Sequence, residues 1–460
     1  MSSVPSPPTV TIAPARRCAF TVLRRVFEQG AYADETLRAE ASDLDPRDRA
    51  LAMALAYGAV QRSGTLDHLI ARLAERPVSR LDAPVLAALR LGLFELLFMG
   101  GSPDYAVVGD AVQLAKTQQQ RGHGLVNAVL RRAAREGAPA LLDSLTDATP
   151  EQAAVKHSHP EWIARLFWQE LGAGPARALM AADNEPSEVA LRANALVTDA
   201  AALVAALPVR SHLDPHIPEA VVLDEPFDVH ASALWQAGAF IAQSRAAMLV
   251  ARTLDPQPGD SVLDLCAAPG GKSTHIAALM AARGEVVAVE RNPRRASALA
   301  RTAQRLHASN VHVEVADAAL PRADRRAFDR VLVDPPCSGL GTLQARPDLR
   351  WRTTPEAVRE MAGAQAQILA AGARSLRPGG VLVYSTCTIS SIENERLIAA
   401  FLDSHPHFSL DDLAAELPQF GLASPPPAGK PGSSCAVRPL LTLPHRDRTA
   451  GFFIARMRRS

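Results

Sequence analysis

The sequence contains very little lysine and almost no net charge. Four of its 49 cationic residues are lysine and the rest are arginine, and the formal net charge is +1. So small a net charge argues against a nucleic-acid binder that depends on many phosphate contacts spread over the chain. Arginine suits bidentate phosphate contacts and base stacking, although a GC-rich genome produces the same bias. Residues 1–140 hold 17 cationic against 14 acidic side chains, which mildly favours a basic face there.

Cysteine pairs and long apolar runs are also absent. The five cysteines include no C-x-x-C pair and no matching histidine cluster, which argues against a zinc site or a disulfide framework. The most apolar stretch, Val85–Met99, contains Arg90 and Glu95 and is shorter than the roughly 18 residues that a membrane span needs, so it is predicted to be a core helix. Residues 1–14 read as a loose tail, because they lack the regions of a signal peptide. The sequence therefore predicts a cytoplasmic protein with no membrane association and no metal.

The pattern of apolar residues predicts three regions. From Arg16 to about Ala134 these residues recur at helical spacing, which predicts an all-α region. Residues 187–227 mix short apolar runs with four prolines, which suits a small α/β connector. After Gln236, strands alternate with helices, which predicts a parallel, doubly wound sheet with helices on both faces. The predicted domains are all-α at 1–140, a small connecting α/β region at 141–235 and a larger α/β domain at 236–460.

The C-terminal region contains several candidate strands. In sheets of this type, ligands bind at the carboxyl ends of the strands, where the strand order reverses. Polar motifs that follow these strands are therefore candidates for the functional site. The candidate strands are Ser261–Leu265, Val286–Val289, Val311–Val315, Arg330–Val333 and Val381–Tyr384.

The first motif, Asp264–Ser273, follows a strand and opens a helix. Gly270 and Gly271 allow a tight turn and close approach of a ligand, and the helix offers free amide groups. A nucleotide-binding P-loop would need a glycine where Cys266 stands, which argues against that alternative. Glu290 closes the next strand, where an acidic side chain can accept hydrogen bonds from ribose hydroxyls. These features predict a nucleoside-bearing cofactor at the loop.

Two further motifs place a cysteine after a strand. Cys337 follows paired prolines in Asp334–Thr342, where adenine amino-methylating enzymes have an aromatic residue that stacks on the base. A thiol at that position points to a nucleophile that adds to C6 of a pyrimidine and makes C5 electron-rich, and Asp334 could hydrogen-bond the base edge. Cys387 follows the adjacent strand in Ser385–Thr388. The two thiols are therefore expected to face one pocket.

The other three cysteines have simpler interpretations. A small buried hydrophobe is the ordinary role of a single cysteine, and it is the role predicted for Cys18 and Cys435. Cys266 lies within the glycine-containing loop, where its backbone rather than its sulfur is expected to contact the cofactor. Chemistry is therefore expected only of Cys337 and Cys387.

In combination, these motifs resemble those of the RNA cytosine-C5 methyltransferases. The runs CAAPGGK at 266–272, PCSG-x-G at 336–341 and TC at 386–387 are shared with that family almost unaltered, and the likeness extends from Phe240 to Met457. The resemblance implies a Rossmann-like methyltransferase fold that uses S-adenosyl-L-methionine. B-type members of the family carry an N-terminal all-α domain similar to the antitermination factor NusB. The segments Gly109–Ala115 and Val126–Arg131 resemble that domain.

The resemblance also implies roles for individual residues. Cys387 is the nucleophile that adds to the cytosine, Cys337 serves release of the product, and Asp334 acts beside them. Cofactor contacts are implied for Cys266, Ala267, Ala268, Pro269, Gly270, Gly271, Lys272, Glu290, Asp317 and Asp334.

Three positions depart from the family pattern. Ser244 stands where an acidic residue usually follows Gln243, and Ala450 stands where an acid usually precedes Gly451. Glu290 replaces a common aspartate, which is a chemically mild change. None of the three departures touches either thiol.

These observations predict an S-adenosylmethionine-dependent methyltransferase that modifies C5 of cytosine in small-subunit (16S) ribosomal RNA. The expected enzyme is a monomer that works through a covalent bond between cysteine and C6. A transfer-RNA methyltransferase is the alternative among enzymes, since catalytic motifs do not separate the two. A non-catalytic RNA-binding assembly or antitermination factor is the alternative from another class. The two cysteines at strand ends argue against it, because a binding module has no need of them.

Overall fold

The described chain divides into two compact units. The computed structural model describes residues 12–118, 121–320, 322, 326–413, 416–421 and 438–460. The start of the predicted N-terminal tail and Cys435 lie outside these residues. Unit 1 comprises Met1–Glu185 and Leu343–Arg352, and unit 2 comprises Pro186–Thr342 and Thr353–Ser460.

Unit 1 is helical, as the apolar spacing predicts. In α1, buried residues recur every three or four positions, among them Cys18, Val22 and Val26, and they form one face of the helix. Cys18 is thus buried in the core, in agreement with its predicted role. The helices of residues 12–185 are α1 Pro14–Gln29, α2 Ala33–Glu40, α3 Pro46–Gln61, α4 Ser63–Ala74, α5 Ala83–Phe94, α6 Asp104–Gln118, α7 His123–Glu136, α8 Ala138–Asp143, α9 Pro150–Lys156, α10 Glu161–Leu171 and α11 Ala173–Ala182, with a 3-10 turn at Val78–Arg80 and a π-helical turn at Glu95–Met99.

Helix α5 is the predicted core helix, and its charged residues are paired. Arg90 donates two hydrogen bonds of 2.7 Å to the carboxylate of Asp67. Glu95, in the π-helical turn that continues α5, pairs with Arg16. A buried charge is tolerated when it is paired and hydrogen-bonded. Both charges that interrupt the apolar run therefore have partners within the helical core.

Unit 2 contains two sheets. The smaller sheet has the antiparallel order β2-β3-β1-β4, and β4 pairs with β1 although it lies after residue 235. The larger sheet has the order β10-β12-β9-β8-β5-β6-β7, with β11 also paired to β12. The strands are β1 Ala190–Ala193, β2 Ser211–Leu213, β3 Ala220–Leu223, β4 Phe240–Ala242, β5 Ser261–Leu265, β6 Glu285–Val289, β7 Val311–Glu314, β8 Phe328–Val333, β9 Leu376–Thr386, β10 Phe408–Leu410, β11 Leu440–Thr442 and β12 Phe452–Arg459.

The predicted doubly wound sheet is confirmed for β5 to β9, which pair in parallel. Strand β12 then pairs antiparallel with β9 and adds an edge that the alternation of strands and helices did not predict. The remaining helices are α12 Ala200–Ala206, α13 Ala233–Gln236, α14 Arg245–Leu254, α15 Gly271–Leu279, α16 Pro293–Arg305, α17 Leu349–Arg352, α18 Pro355–Ser375, α19 Glu395–Ser404 and α20 Pro444–Asp447, with a 3-10 turn at Val229–Ala231; α17 belongs to unit 1.

Helices cover both faces of the larger sheet. Leu332 of β8 packs in one buried cluster with residues of α14 and α15. Its neighbours Val331 and Val333 face α18, where a Cβ added to Gly372 would lie 2.8 Å from Val333 Cγ2. Successive side chains of a strand point to opposite faces, so these contacts place the helices on opposite sides of β8. No helix of the described residues is long and apolar enough to span a membrane.

The segment Leu343–Arg352 is anchored in unit 1 by a buried arginine. Arg350 is fully buried and donates hydrogen bonds to the carbonyl oxygens of Ser158 and Asp183 at 2.9 and 3.0 Å and to Asn184 Oδ1 at 3.1 Å. Burial lowers the pKa of Arg350 to about 10 and raises that of the Asp183 carboxyl to about 7. The side chain of Asp183 in turn lies 3.2 Å from His159 Nε2.

Replacement of Arg350 should destabilise unit 1. We expect Arg350→Ala to lower the free energy of unfolding by about 3–5 kcal/mol, the usual cost of removing one partner from a buried ionic cluster. Chemical denaturation of the full chain, followed by circular dichroism, measures this change. Arg359→Ala is the control, because Arg359 is exposed and pairs with Glu356 on the helix surface; it should change stability by less than about 0.5 kcal/mol. Equal stability of the two variants would contradict the anchoring role.

Candidate active site

The predicted site residues lie at the carboxyl ends of the parallel strands of the larger sheet. The chain runs from β5 outward to β6 and β7 and then returns to β8 on the other side of β5. The strand order therefore reverses between β5 and β8, the place where doubly wound sheets bind ligands. The predicted motifs follow the carboxyl ends of β5, β6, β8 and β9.

The loop from β5 to α15 has the geometry of a ligand cradle. Gly270 precedes α15 with φ of 100°, a value that favours glycine, and a Cβ there would lie 3.2 Å from Leu299 Cγ. The amide groups of the first turn of α15 have no partners within the helix and can face an anionic or polar ligand. Burial raises the pKa of the Cys266 thiol to about 12. Cys266 therefore stays neutral, consistent with a contact made by its backbone.

A buried arginine, for which the sequence predicted no role, fixes the end of this loop where α15 begins. Arg192, on β1, is fully buried. It donates hydrogen bonds to Gln243 Oε1 at 2.7 Å and to Thr274 Oγ1 at 3.0 Å, and it also contacts the carbonyl oxygen of Gly271. The small sheet thereby holds the start of α15. An arginine within a short strand is the only local signal, and it does not reveal this long-range partner.

Two acidic side chains follow the next strands. Glu290 is buried after β6, and its Oε1 accepts a hydrogen bond of 2.8 Å from the amide of Asn292. Asp317 is exposed after β7, and its Oδ1 accepts from the amide of Ala319 at 3.0 Å. A cavity of about 380 Å³ borders Asp317 and is also lined by Leu265 and Val289, at the ends of β5 and β6. This half of the site has acidic acceptors beside an apolar wall.

An ion pair joins the start of α15 to the segment that follows β8. Lys272 Nζ donates to Asp334 Oδ2 at 2.7 Å, and Ser385 Oγ donates to Asp334 Oδ1 at 2.8 Å. Burial disfavours the charge of Lys272, but its attraction to and hydrogen bond with Asp334 outweigh that effect and raise its pKa. Attraction to Cys387 acts in the same direction. Lys272 is therefore a cation that is held in place by Asp334.

The two cysteines of the motifs are brought together. The Sγ atoms of Cys337 and Cys387 lie 3.3 Å apart. The hydrogen bond with Cys387, burial, and the nearby charges of Cys387, Glu393 and Asp334 raise the pKa of Cys337 well above its usual value. Because like charges at this distance repel strongly, the pair favours one thiolate at a time.

The loops that carry the cysteines are also joined through their backbones. The amide of Gly341 donates to the carbonyl oxygen of Cys387 at 2.9 Å, and the amide of Gly451 donates to the carbonyl oxygen of Gly341 at 2.7 Å. A Cβ on Gly341 would lie 2.1 Å from the carbonyl oxygen of Gly451, so no larger residue fits there without movement. The residue that precedes β12, Gly451, therefore packs directly against the PCSG-x-G motif.

A buried polar cluster lies beside the thiols, and we call Ser338, Gln365, Thr388 and Glu393 the Glu393 cluster. The Glu393 carboxylate accepts hydrogen bonds from the amide of Ser338 at 2.8 Å, from Gln365 Nε2 at 2.9 Å and from Ser338 Oγ. Ser338 Oγ also lies 2.7 Å from Thr388 Oγ1. All four side chains are buried. The sequence predicted no role for Glu393.

The departures from the family pattern are accommodated. Ser244 is the N-cap of α14, and its Oγ accepts a hydrogen bond from the amide of Ala247 at 3.3 Å. An aspartate could make the same contact, since both residues are preferred at N-caps. Ala450 contributes its carbonyl oxygen, which accepts from Thr442 Oγ1 at 2.7 Å. Within the described residues, no group of three or more histidine, cysteine or acidic side chains could hold a metal ion.

Three family models match successive parts of the chain. The NusB family model matches residues 13–135, and a ferredoxin-like domain of RsmF/B-like methyltransferases matches residues 159–230. The model described as 16S rRNA methyltransferase RsmB/F matches residues 251–458. The last match contains every residue predicted for the site.

Several known proteins are similar to most or nearly all of this chain. A probable ribosomal RNA small subunit methyltransferase B from Synechocystis sp. is 35% identical over 97% of this chain and 99% of its own length. A protein of the same description from Bacillus subtilis is 33% identical over 96% of this chain and 98% of its own length. Among solved structures, a protein called PH0851 has a TM-score of 0.79 at 25% identity and covers 98% of this chain and 100% of its own. A methyltransferase homolog from Pyrococcus horikoshii has a TM-score of 0.59 at 27% identity and covers 68% of this chain and 100% of its own.

The resemblance predicted from the cysteine and glycine motifs is thereby confirmed. The likeness to the Synechocystis and Bacillus proteins covers nearly the full length of both partners, so it includes the helical region as well as the sheet that carries the two thiols. We conclude that the chain belongs to the 16S rRNA methyltransferase RsmB/F family.

Proposed function

We propose that this protein transfers the methyl group of S-adenosylmethionine to C5 of a cytosine in small-subunit ribosomal RNA through a covalent enzyme–RNA intermediate. The observation that carries the proposal is the contact of 3.3 Å between the sulfurs of Cys337 and Cys387, beside the ion pair of Lys272 and Asp334. The relatives described as ribosomal RNA small subunit methyltransferases support the choice of RNA. A protein that only binds RNA would have no use for two adjacent thiols.

The donor set at the ends of β5 to β7 fits S-adenosylmethionine. The backbone of residues 266–272 and the first turn of α15 would hold the polar amino-acid part, and the buried carboxylate of Glu290 would accept hydrogen bonds from the ribose hydroxyls. Asp317 would contact the adenine beside the apolar ends of the strands. When bound there, S-adenosylmethionine supplies an electrophilic methyl group on a sulfonium sulfur. The residues of the chain must then make the cytosine nucleophilic.

We assign the nucleophile to Cys387. A free cysteine is only a few per cent thiolate near neutral pH, so its site must favour the charged form. Lys272 supplies a cation whose attraction extends to Cys387, whereas Cys337 faces the negative charges of Glu393 and Asp334. This division of charge favours the thiolate on Cys387 and the neutral thiol on Cys337. It supports the assignment that the family resemblance implies.

The proposed reaction proceeds through addition and elimination on a cytosine turned out of the RNA. The Cys387 thiolate would form a bond to C6, and the electron pair of the C5–C6 double bond would form the new bond from C5 to the methyl carbon. The bond between the methyl carbon and the sulfonium sulfur would break, and its electrons would stay on the sulfur of the departing S-adenosylhomocysteine. Asp334 and Lys272 would hold the base edge during this step. A base then removes the proton of C5, whose electron pair re-forms the C5–C6 double bond. The C6–S bond breaks, and its electrons return to Cys387 as the thiolate, in a step that Cys337 assists.

Unit 1 would contribute affinity for RNA without taking part in the chemistry. Its residues 13–135 match the NusB family, and residues 1–140 carry a small excess of cationic side chains. A weak positive balance adds affinity through phosphate contacts. Unit 2 would then act on the chosen cytosine.

Methyl transfer to purified RNA tests the proposed function directly. We expect the full chain to move a labelled methyl group from S-adenosylmethionine to protein-free 16S ribosomal RNA or to the small subunit, and bisulfite sequencing should locate the product as 5-methylcytosine. Transfer RNA serves as the control substrate. Methylation of transfer RNA alone would identify the protein as a transfer-RNA methyltransferase instead. A methyl label on an atom other than C5 of cytosine would contradict the proposed reaction.

The two cysteines should have different phenotypes. We expect Cys387→Ala to abolish turnover and to form no adduct, because it lacks the nucleophile. Cys337→Ala should still add to the base and methylate it but fail to release it. Denaturing electrophoresis should therefore show a protein–RNA adduct that contains the methyl label for Cys337→Ala. Cys18→Ala, which removes a buried thiol from unit 1, is the control and should behave as wild type. An adduct with Cys387→Ala and none with Cys337→Ala would reverse the assignment.

Affinity for the cofactor should depend on Glu290. We expect Glu290→Ala to weaken binding of S-adenosylmethionine by about 1–3 kcal/mol, the cost of losing charge-assisted hydrogen bonds. Isothermal titration calorimetry measures the dissociation constant. Glu285→Ala is the matched control, because Glu285 begins the same strand at the opposite end and pairs with Arg326. A dissociation constant that is the same in both variants would remove Glu290 from the site.

A further inference from the structure

The Glu393 cluster fixes the backbone on both sides of Cys337. The amide of Ser338, which belongs to the peptide group that follows Cys337, donates to Glu393 Oε1 at 2.8 Å. The carbonyl oxygen of Pro336, in the peptide group that precedes Cys337, accepts from Gln365 Nε2 at 2.9 Å. The same Gln365 nitrogen donates to Glu393 Oε1 at 2.9 Å. Both peptide planes that set the position of the Cys337 side chain are therefore tied to one carboxylate.

The same carboxylate reaches the loop of the other cysteine through one side chain, Thr388, which hydrogen-bonds to Glu393 and to Ser338 Oγ. Ser338 Oγ contacts both Glu393 Oε2 and Thr388 Oγ1, and Thr388 follows Cys387 in the chain. The position of Cys387 has separate support from β9, where Ser385 pairs with Ile454 of the neighbouring strand. Loss of Glu393 should therefore disturb Cys337 much more than Cys387.

Glu393 is itself held firmly in place. It is fully buried, and its carbonyl oxygen accepts a hydrogen bond of 2.7 Å from Tyr384 Oη. Burial raises the pKa of its carboxyl group, while donors from Ser338 and Gln365 favour the charged form. A buried carboxylate is costly unless its partners are fixed, so its presence here calls for a role beyond packing.

We propose that Glu393 is a positioning residue that holds the Cys337 thiol against Cys387 by fixing the peptide groups on either side of it, and that release of the methylated RNA depends on this contact. The inference rests on the proposed function, in which Cys337 serves release. Addition of Cys387 to the base and binding of S-adenosylmethionine do not require Glu393. Release does, because a displaced Cys337 no longer lies beside the C6–S bond that must break.

The proposal predicts a selective defect in release. Glu393→Ala should bind S-adenosylmethionine as tightly as wild type and form the covalent adduct, but its adduct should break down about tenfold more slowly, the effect of losing one hydrogen bond to a charged group. Denaturing electrophoresis of quenched single-turnover reactions gives the rates of adduct formation and decay, and calorimetry gives the affinity for the cofactor. A role in folding alone would lower both rates and the affinity together.

Two further variants distinguish a loss of positioning of Cys337 from a loss of folding. Glu393→Gln can still accept from the Ser338 amide and Gln365 through its amide oxygen and donate to Ser338 Oγ, so it should restore decay of the adduct to within about threefold of wild type. Ser338→Ala removes the hydroxyl link to Glu393 and Thr388 with little change in volume, so it should slow decay and remain informative if Glu393→Ala does not fold. Glu285→Gln, at the opposite end of β6, is the control for removal of an acidic charge and should decay as wild type does.

The outcomes distinguish this inference from the proposed function. If wild type transfers methyl to RNA and Cys337→Ala traps the adduct, but folded Glu393→Ala and Ser338→Ala release product at the wild-type rate, only the role of Glu393 is wrong. Equal accumulation of adduct in Glu393→Gln and Glu393→Ala would also overturn positioning by hydrogen bonds. If wild type transfers no methyl group and Cys337→Ala traps no RNA, the proposed function is wrong and the role of Glu393 fails with it.

Discussion

The parallel pairing of β8 with β9 is the constraint on which the candidate active site depends. Val333 lies opposite Tyr384 in this pairing, so the next residues of the two strands, Asp334 and Ser385, meet in a hydrogen bond of 2.8 Å. Because β8 and β9 are parallel, the segments that follow them leave the sheet at the same end of the strands. Their loops carry Cys337 and Cys387 to a sulfur–sulfur distance of 3.3 Å. A shift in this register would separate the thiols and break the contact of Asp334 with Ser385.

The charged groups around the two thiols differ. Lys272, in the first turn of α15, is a cation whose attraction extends to Cys387, and the Glu393 carboxylate accepts a hydrogen bond from the backbone amide that follows Cys337. Electrostatic effects of this kind are strong where solvent is excluded. This difference in charge is the basis of the roles that we propose for two chemically identical side chains, one as a thiolate and one as a thiol.

Buried charged residues organise this protein at three places. Arg192 holds the start of α15, Arg350 anchors the segment Leu343–Arg352 in unit 1, and Glu393 joins the cysteine loops. Replacement of a whole buried ion pair by well-packed apolar residues is often neutral or stabilising, although loss of one partner alone is costly, so such pairs add little net stability. Their hydrogen bonds are directional, however, and fix the geometry of the loops that they join. In each case the segment that is held lies within or next to a motif of the candidate site.

The sequence by itself determined the elements with local signals. Apolar periodicity predicted the helical region and strands β5 to β9, and the glycines and cysteines after those strands marked the site, because turn chemistry and side-chain period are properties of short segments. Only the tertiary structure decided which distant segments meet. Packing between residues far apart in the chain decides three features that no local pattern predicts: the antiparallel strand β12, the pairing of β4 in the small sheet and the partners of the buried polar and charged side chains. These side chains are Arg192, Ser338, Arg350, Gln365 and Glu393.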